Sequence, residues 1–335
     1  ENPKIRGTAQ NPDVYFQNRE ACNPYYNKVK GVVKQALAKF EQVFGRKYSV
    51  VEYEGAPDAE KAIVIMGSGA EAALETAQYL NKNGGKVGVV KIRLYRPFPS
   101  EEFVECLPKT IKSLAIMDRT KEPGSLGEPL YLDVITALSE MNRSGIKVIG
   151  GRYGLSSKEF GPKCVKAIFD EMASKTPKNH FSVGIYDDVT NNSLPLDNDF
   201  CLNKPEVTEC MFYGLGSDGT VGANKNSIKI IASNTDLYGQ GYFVYDSKKS
   251  GSTTISHLRF SPEPIPSSYL IEKANFIACH NFPHLLKVNL LENAKDGGIV
   301  LLNTPFESDK VWEKLPYEVR QTIIDKKLKV YAINA

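Results

Sequence analysis

Short apolar runs that alternate with helical stretches place the tightest limit on how this chain folds. Residues Ala62–Met66 are all apolar and are followed by Gly67-Ser68-Gly69, as expected for a strand buried on both faces of a parallel sheet. A stripe of alanine and leucine at helical spacing then continues to Leu80 and ends before Asn83-Gly84-Gly85. Because neighbouring parallel strands need a crossover, usually a helix, this pattern predicts a mostly parallel sheet with helices on both faces.

The alternation continues on both sides of a polar stretch at residues 174–205. The sequence predicts further strands at 86–93, 114–118 and 147–150, and helices at 26–44, 100–107, 130–141 and 158–172. Beyond the polar stretch it predicts strands at about 209–214, 242–246, 276–279, 298–303 and 329–333, and helices at about 220–233, 285–295 and 309–325. We therefore expect an α/β protein with two open domains, each built on a mostly parallel sheet, and a domain boundary within the polar stretch.

The composition is that of a soluble globular protein and argues against several classes of partner. Of the 335 residues, 41% are hydrophobic and 24% are charged. The 42 basic and 39 acidic residues give a net charge of +3, and the basic residues are not gathered in one run. We therefore expect neither nucleic acid nor an anionic membrane as a partner. No apolar run reaches the ~18 residues that a membrane span requires.

The six cysteines predict free thiols in a reducing compartment, so we expect a cytoplasmic protein. They lie far apart, without a C-x-x-C pair or the features of a secretory leader, so neither a disulfide framework nor a metal site is indicated. His280 and His284 have the spacing of a zinc-binding pair, but Pro283 between them argues against a shared helix face. The cysteines are Cys22, Cys106, Cys164, Cys201, Cys210 and Cys279.

A glycine-rich segment follows the first predicted strand of the second domain. The strand Glu209–Tyr213 runs into Gly214–Gly222, and a helical stretch comes next. Glycines let the backbone turn tightly and approach a ligand, and the helix N-terminus offers unpaired N–H groups to an anion. The spacing also fits G-x-G-x-x-G, but a dinucleotide site needs an acidic residue ~20 positions later, and Asp246 comes too late. Either the segment handles phosphate, or its glycines only shape a turn between strand and helix.

Two loops rich in charged residues follow strands of the first domain. They are Arg93–Phe98 and Asp118–Gly124, and ligands of open α/β sheets usually bind at such positions. The alternative, which we favour, is that they are ion-paired loops that pack against a neighbouring domain. The sequence has neither a G-x-S-x-G motif nor a Walker lysine motif, so we predict no catalytic residue in this chain.

Several blocks of the sequence closely resemble consecutive blocks of pyruvate:ferredoxin (flavodoxin) oxidoreductases. The resemblance covers essentially all 335 residues, and long blocks in the same order are far more specific than a glycine spacing. The blocks are Arg6–Asp13, Asn23–Tyr26, Gly55–Glu60, Val90–Phe98, Asp118–Gly124, Lys158–Phe160 and Gly214–Lys225.

The resemblance implies that the chain is a central fragment of such an enzyme. Residues 1–48 resemble the tail of a pyrimidine-type first domain with a linker, and residues 49–203 resemble the C-terminal domain of transketolase. Residues 204–335 resemble a truncated, γ-type coenzyme A-binding domain. The whole enzyme of this family oxidatively decarboxylates pyruvate to acetyl-coenzyme A in anaerobic metabolism and passes the electrons to ferredoxin or flavodoxin. The implied partners are the remaining domains of the polypeptide, ferredoxin or flavodoxin, and a second copy in a homodimer.

The resemblance also implies thiamine diphosphate, Mg²⁺ and [4Fe–4S] clusters, all of them in missing parts of the whole enzyme. The cysteines lack the close spacing of cluster ligands. The Gly-Asp-Gly signature expected for the thiamine diphosphate site is absent, because Ser217-Asp218-Gly219 begins with serine. We therefore expect the fragment alone to be inactive, with coenzyme A as its ligand and no metal.

Coenzyme A suits the glycine-rich segment better than a dinucleotide does. Its pyrophosphate suits a glycine turn at a helix N-terminus, and its 3′-phosphate favours lysine over an acidic residue. We predict that backbone N–H groups of the turn bind phosphate or pantetheine, that two lysines supply the counter-charge, and that Asp218 is a turn former rather than a base. Two asparagines after later strands are predicted to bond the pantetheine amides, although local turn bonding explains them equally well. The predicted residues are Gly216, Asp218, Gly219, Thr220, Val221, Lys248, Lys249, Asn281 and Asn303.

Two other functions remain open at this point. One is a structural or dimer-interface module whose coenzyme A site forms only with neighbouring domains. The other is a redox flavoprotein subunit of the sulfite reductase type, which the block Gly7–Asp13 disfavours. Titration of coenzyme A into the chain distinguishes the first of these from an autonomous site.

Overall fold

The computed structural model describes residues 9–245 and 253–335. The chain forms two compact units, Glu1–Cys201 and Leu202–Ala335, which we call unit 1 and unit 2. Each unit holds one six-stranded sheet that is mostly parallel and has helices packed on it. The predicted α/β class with two open, mostly parallel sheets is confirmed.

Unit 1 begins with two helices and continues as an alternation of strands and helices. Its elements are α1 (Pro12–Glu20), α2 (Asn23–Phe44), β1 (Val51–Gly55), β2 (Lys61–Ile65), α3 (Gly69–Lys82), β3 (Val87–Ile92), α4 (Ser100–Cys106), β4 (Ser113–Asp118), α5 (Pro129–Glu140), β5 (Lys147–Arg152), α6 (Pro162–Ala173) and β6 (Phe181–Ser182). A 3-10 turn at Leu155–Ser157 precedes α6.

The sheet of unit 1 has the strand order β1-β3-β2-β4-β5-β6. Strands β2 to β6 are parallel, and β1 pairs antiparallel with β3. The inner strands are apolar because both faces of the sheet are covered, and Val64, Leu114 and Ile116 are fully buried. The sequence pattern did not predict β1 or β6. Strand β1 reads V-E-Y-E-G, with charged residues at alternate positions, and β6 is too short to give a periodic signal.

Unit 2 alternates strands and helices less regularly. Its elements are β7 (Thr208–Leu215), α7 (Thr220–Asn234), β8 (Tyr238–Tyr245), β9 (Thr253–Ser261), β10 (Ala274–Cys279), β11 (Ala294–Asn303), α8 (Val311–Lys314), α9 (Tyr317–Asp325) and β12 (Lys329–Ile333). The strand order is β12-β11-β10-β7-β9-β8. Strands β7, β10, β11 and β12 are parallel, and β9 pairs antiparallel with both β7 and β8.

Two helices predicted for unit 2 were wrong, and proline explains both. The region 285–295 forms two 3-10 turns, Phe282–Leu286 and Leu290–Asn293, instead of a helix. Pro283 lies in the first of these 3-10 turns, where its missing N–H is tolerated. The chain does not continue from this turn into a longer helix. The region 309–325 is divided into α8 and α9, because Pro316 ends one hydrogen-bonded run and caps the next.

Unit 2 has one core on each face of its sheet. The larger core contains Ile277 and Val300 and is covered by the 3-10 turns, α8 and α9. The smaller core contains Leu258 of β9 beneath Ile228 of α7. Strand β9 was not predicted. It includes Ser256, a residue that is polar although it is fully buried, and polar residues of this kind hide a strand from a hydrophobic pattern.

Candidate functional site

The candidate site lies at the carboxyl edge of the parallel strands of unit 2. The chain order reverses between β7 and β10, because β8 and β9 lie on one side of β7 and β10 to β12 on the other. Ligands of open α/β sheets bind at such a point, outside the carboxyl ends of the strands. The turn 216–219 follows β7, Asn281 follows β10, and Asn303 ends β11. The topology therefore brings predicted residues from three strands to one edge.

Glycine makes the sharp turn from β7 into α7 possible. Gly219 has a φ of 89°, a left-handed conformation that costs glycine little. At Gly214, a side chain would place its Cβ 2.5 Å from Thr220 Oγ1 and 2.8 Å from Asp218 Oδ2. The end of β7 therefore lies against the first turn of α7 only because no side chain stands between them.

The Asp218 carboxylate holds this turn together. Its Oδ2 accepts the N–H of Leu215 at 2.7 Å, and its Oδ1 accepts the N–H of Thr220 at 2.8 Å. Burial raises the pKa of Asp218, but these two hydrogen bonds, together with the Thr220 hydroxyl and His280, outweigh it and hold the pKa below its usual value. The carboxylate is therefore ionised at neutral pH and is occupied by the backbone of its own turn.

At least three N–H groups of the turn have no partner in the described part of the chain. The N–H of Thr220, predicted to face a ligand, donates to Asp218 instead. Those of Gly216, Gly219 and Val221 donate to no other described residue. The first turn of α7 carries no acidic residue, so the positive end of the helix dipole is not neutralised from within the helix. This arrangement is what a helix N-terminus needs in order to bind an anion.

His280 completes the wall of the site on the β10 side, and the sequence pattern did not identify it as a site residue. Its Nδ1 lies 3.3 Å from Thr220 Oγ1, and the Thr220 side chain is buried. Its ring is partly exposed. Its position directly before the predicted Asn281, at the end of a parallel strand, was the available signal. The sequence otherwise indicates His280 only through its zinc-pair spacing with His284, which Pro283 argues against.

The two predicted asparagines differ in how they are bound. The Asn303 side chain donates to the carbonyl of His280 at 3.3 Å and accepts the N–H of Ala335 at 3.1 Å, which is local backbone bonding. The Asn281 amide forms no hydrogen bond with another described residue, and its side chain is partly exposed. Asn281 is therefore the one of the pair whose side-chain amide is available to a ligand. The predicted Lys248 and Lys249 lie outside the described residues.

Two buried polar atoms border this site without a partner in the described part of the chain. His284 is 5% exposed and its Nδ1 has no hydrogen bond, and Asn224, one turn into α7, is 2% exposed and its Nδ2 has none. A buried polar atom without a hydrogen bond costs stability, typically ~1–3 kcal/mol. Proteins therefore retain such atoms rarely, and two of them beside one turn mark it as unusual.

The charged loops of unit 1 are satisfied internally. Arg93 pairs with Glu52 and Arg96 with Asp133, each at 2.7 Å. The loop Arg93–Phe98 is thus ion-paired, as interpreted.

The loop Asp118–Gly124 departs from that interpretation. Arg119 donates to the Gly154 carbonyl at 2.9 Å, and Asp118 accepts backbone N–H groups. The described contacts of this loop are therefore hydrogen bonds and not ion pairs.

Residues 9–245 and 253–335 contain no cluster of three histidine, cysteine or acidic side chains placed to bind a metal ion. Over the same ranges, no helix combines the length and the apolar character needed to cross a lipid bilayer.

Comparisons with known proteins match both units. Residues 209–335 match the family model described as pyruvate ferredoxin/flavodoxin oxidoreductase. Residues 59–158 match the model described as pyruvate:ferredoxin oxidoreductase core domain II. The resemblance drawn from the sequence blocks is thereby confirmed.

Curated relatives match over the whole of this chain. It is 56% identical to a pyruvate-flavodoxin oxidoreductase of Nostoc sp. and 56% identical to a pyruvate:ferredoxin oxidoreductase of Moorella thermoacetica. It is 53% identical to a probable pyruvate-flavodoxin oxidoreductase of Escherichia coli. Each match covers 100% of this chain but only 28–29% of the relative. The chain therefore spans less than a third of the length of these relatives.

Proposed function

This chain belongs to the pyruvate ferredoxin/flavodoxin oxidoreductase family, and we propose that it serves such an enzyme by binding coenzyme A and by acting as scaffold. In this proposal the whole enzyme oxidatively decarboxylates pyruvate in the cytoplasm, passes the electrons to ferredoxin or flavodoxin, and transfers the acetyl group to coenzyme A. Residues 204–335 are the coenzyme A domain, residues 49–203 are a transketolase C-terminal-like scaffold, and residues 1–48 are the tail of the preceding domain. The remaining domains and a second copy complete the enzyme.

The observation that carries this proposal is the turn between β7 and α7. It combines three N–H groups without a partner among the described residues, a helix N-terminus and a position at the reversal of strand order. A pyrophosphate has the charge and the acceptor oxygens that such a turn binds best. The partly exposed amide of Asn281 stands at the end of the next strand, where a pantetheine arm leaving the pyrophosphate requires a hydrogen-bonding partner.

Thiamine diphosphate, Mg²⁺ and iron–sulfur clusters do not fit the residues of this chain. The six cysteines are far apart in sequence, and burial raises the pKa of Cys106 and Cys210 to about 12, so both are held as thiols. Cluster ligation needs thiolates from several closely placed cysteines. We therefore assign these cofactors to other parts of the enzyme and expect no pyruvate decarboxylation by this chain alone.

A structural or dimer-interface module without autonomous ligand binding is the second candidate. It is supported by the internal bonding of Asn303 and by the ion pairs of Arg93 and Arg96, which leave those side chains committed to their own unit. In that case neighbouring domains complete the coenzyme A site.

Calorimetric titration of coenzyme A into the 335-residue chain tests the proposal. We expect saturable binding in the micromolar range and a Val221→Pro variant that binds roughly tenfold more weakly, because proline removes one donor to a charged group. Proline is tolerated in the first turn of a helix, so the fold is retained. The matched control is Gly222→Ala, which keeps its N–H and places its methyl group in open space. No heat with the unaltered chain favours the second candidate, and equal affinity of Val221→Pro excludes the N-terminus of α7 as the phosphate site.

A further inference from the structure

His280 touches the proposed phosphate turn through a side chain rather than through the backbone. The 3.3 Å contact between its Nδ1 and Thr220 Oγ1 joins the end of β10 to the first residue of α7. Thr220 also donates its N–H to Asp218, so its hydroxyl is held in the same turn whose N–H groups point to a ligand. A change in the charge of His280 therefore acts directly on the hydrogen bonds of the turn.

The backbone of His280 is fixed on two sides, which keeps the ring in place. Its N–H donates to the carbonyl of Tyr213 at 2.8 Å, and its carbonyl accepts from the Asn303 side chain at 3.3 Å. The ring also packs edge-on against Phe212, with the ring centroids 6.1 Å apart. The contacts at the end of β10 therefore hold the His280 ring against Thr220.

Protonation of His280 changes the direction of the bond with Thr220. In the neutral tautomer whose Nδ1 carries no proton, that nitrogen can only accept, so the Thr220 hydroxyl donates to it. In the imidazolium both ring nitrogens are donors, so Nδ1–H donates to Oγ1 and the hydroxyl proton turns to another acceptor. That acceptor is either the Asp218 carboxylate, which also interacts with this hydroxyl, or a bound anion. A phosphate oxygen at the N-terminus of α7 is such an acceptor. The same protonation adds a positive charge beside it.

We propose that His280 is a further ligand-binding residue of this site, which in its protonated form strengthens the binding of a pyrophosphate by freeing the Thr220 hydroxyl and by adding charge. This inference rests on the proposed binding of coenzyme A at the β7–α7 turn. It goes beyond that function because it makes the affinity of the site depend on pH and assigns the dependence to one side chain.

His284 supplies a second, independent sign that this wall of the site is built for a partner. It lies four residues after His280, is 5% exposed, and its Nδ1 has no hydrogen-bond partner among the described residues. Burial and Lys287 lower the pKa of His284, and the Asp218 carboxylate opposes that shift. A buried imidazole without a partner and an ionised carboxylate therefore both border the phosphate turn.

The groups that influence His280 set the pH range of the effect. Burial lowers the pKa of His280, and the Asp218 carboxylate opposes that shift. The other titratable groups on this side of the described site are His284 and Lys287, in the loop after β10. Because the pKa of His280 lies below its usual value of ~6.5, the imidazole of the free site is mostly neutral at pH 7 and gains its charge only as the pH falls.

Calorimetry with dephospho-coenzyme A between about pH 5.5 and pH 8 measures the effect without interference from the ligand. The 3′-phosphate of coenzyme A titrates near pH 6, whereas the pyrophosphate diester that dephospho-coenzyme A retains does not. We expect binding to tighten by at least about fivefold as the pH falls, a coupling of ordinary size between two linked sites. In His280→Asn, whose amide preserves a hydrogen bond to Thr220 but does not titrate, we expect a flat profile. His180→Asn in unit 1 is the matched control and keeps the unaltered slope, since asparagine also tolerates the φ of 58° found there.

Each outcome separates this inference from the function on which it rests. No binding by the unaltered chain at any pH overturns the proposed coenzyme A site itself. Binding with the same pH slope in the unaltered chain and in His280→Asn, or no slope in the unaltered chain, overturns only the role of His280. Because binding and protonation are reciprocally linked, saturating ligand must also raise the pKa of His280 in an NMR titration of the unaltered chain. An unchanged pKa there rejects the inference even if the variant fails to fold.

Discussion

Two glycine turns, one in each unit, lead from a parallel strand into a helix and end in different surroundings. In unit 1, Gly67-Ser68-Gly69 joins β2 to α3, and a Cβ on Gly69 would lie 2.9 Å from the ring of Tyr153. The Tyr153 hydroxyl donates to the Met66 carbonyl at 3.1 Å, so an aromatic side chain fills the space over the turn. In unit 2 the side chain beside the turn is His280, which follows the adjacent strand β10 and is polar and partly exposed. Glycine spacing sets the turn, and a side chain from the end of another strand decides whether a ligand reaches it.

The charges at the two edges repeat this contrast. In unit 1 the Asp118 carboxylate accepts the N–H groups of both Leu130 and Tyr131, which neutralises the N-terminus of α5. In unit 2 Asp218 takes only one N–H from the first turn of α7 and leaves others without a described partner. The N-terminus of α5 in unit 1 is therefore capped by a carboxylate that accepts two of its N–H groups, whereas the N-terminus of α7 in unit 2 keeps N–H groups without a described partner.

The largest expected effect tests whether the edge of unit 1 is purely structural. Glu128 is 2% exposed and accepts Arg152 Nε at 2.6 Å. In Glu128→Ala the guanidinium loses its buried carboxylate, and we expect unit 1 to lose about 3–5 kcal/mol of stability. Denaturant unfolding followed by circular dichroism shows this loss, while fluorescence of Trp312, the only tryptophan and part of α8 in unit 2, keeps its midpoint.

The matched control for that variant is Glu60→Ala, which breaks the exposed pair with Lys112. Exposed pairs of this kind contribute less than about 1 kcal/mol. Coenzyme A affinity stays unchanged in both variants. A weakened coenzyme A affinity in Glu128→Ala would mean that the two edges are not independent, and the comparison drawn above would fail.

A smaller effect tests the turn of unit 2. In Gly214→Ala the new methyl group meets Thr220 Oγ1 and Asp218 Oδ2, so either the strand or the helix must shift. We expect unit 2 to lose about 1–3 kcal/mol of stability, seen in Trp312 fluorescence, and coenzyme A binding to weaken with it. Gly222→Ala makes the same chemical change in open space within α7, and there a small gain in stability is expected from helix propensity. Equal stability and equal coenzyme A affinity of the two variants would show that the close approach at Gly214 contributes to neither.

Sequence reasoning located this site as far as local pattern and topology allow. The glycine turn and the asparagines after β10 and β11 were predictable, because a motif fixes the turn and parallel strands bring their carboxyl ends to one edge. The contact between Thr220 and His280 was not predictable, because His280 lies 60 positions away in the sequence and no spacing rule connects the two residues. For the same reason the Glu128–Arg152 pair, 24 positions apart, gave no signal.

The elements that the sequence did not predict are those that depart from a simple hydrophobic pattern. A hydrophobic pattern identifies β2 and β4, whose buried positions are apolar. It fails at β9, where Ser256 is fully buried, and at the loop after β10, where the spacing of leucines fits a helix but Pro283 directs the chain into 3-10 turns. Polar residues in buried positions are characteristic of sites, so the pattern fails most where function is concentrated.

The smallest effect concerns two carboxylates whose titration has opposite consequences for stability. Burial raises the pKa of Asp118 despite its two backbone hydrogen bonds, so the folded state favours its protonated form. Its contribution to stability is therefore present below ~3.9, the usual pKa, and is lost as the pH rises through the raised value. The pKa of Asp218 is lowered, so its contribution is present above ~3.9 and is lost as the pH falls through the lowered value.

Unfolding free energies between about pH 3 and pH 6 distinguish the two carboxylates. The stability of the unaltered chain relative to Asp118→Asn should fall as the pH rises over this range, whereas its stability relative to Asp218→Asn should rise. Circular dichroism reports the first difference and Trp312 fluorescence, which is local to unit 2, reports the second. The same slope for both would mean that the two carboxylates experience the same balance of burial and backbone hydrogen bonds. In that case the Asp218 turn would not differ from the Asp118 turn, and the comparison would give no reason to expect the N–H groups beside Asp218 to bind an anion.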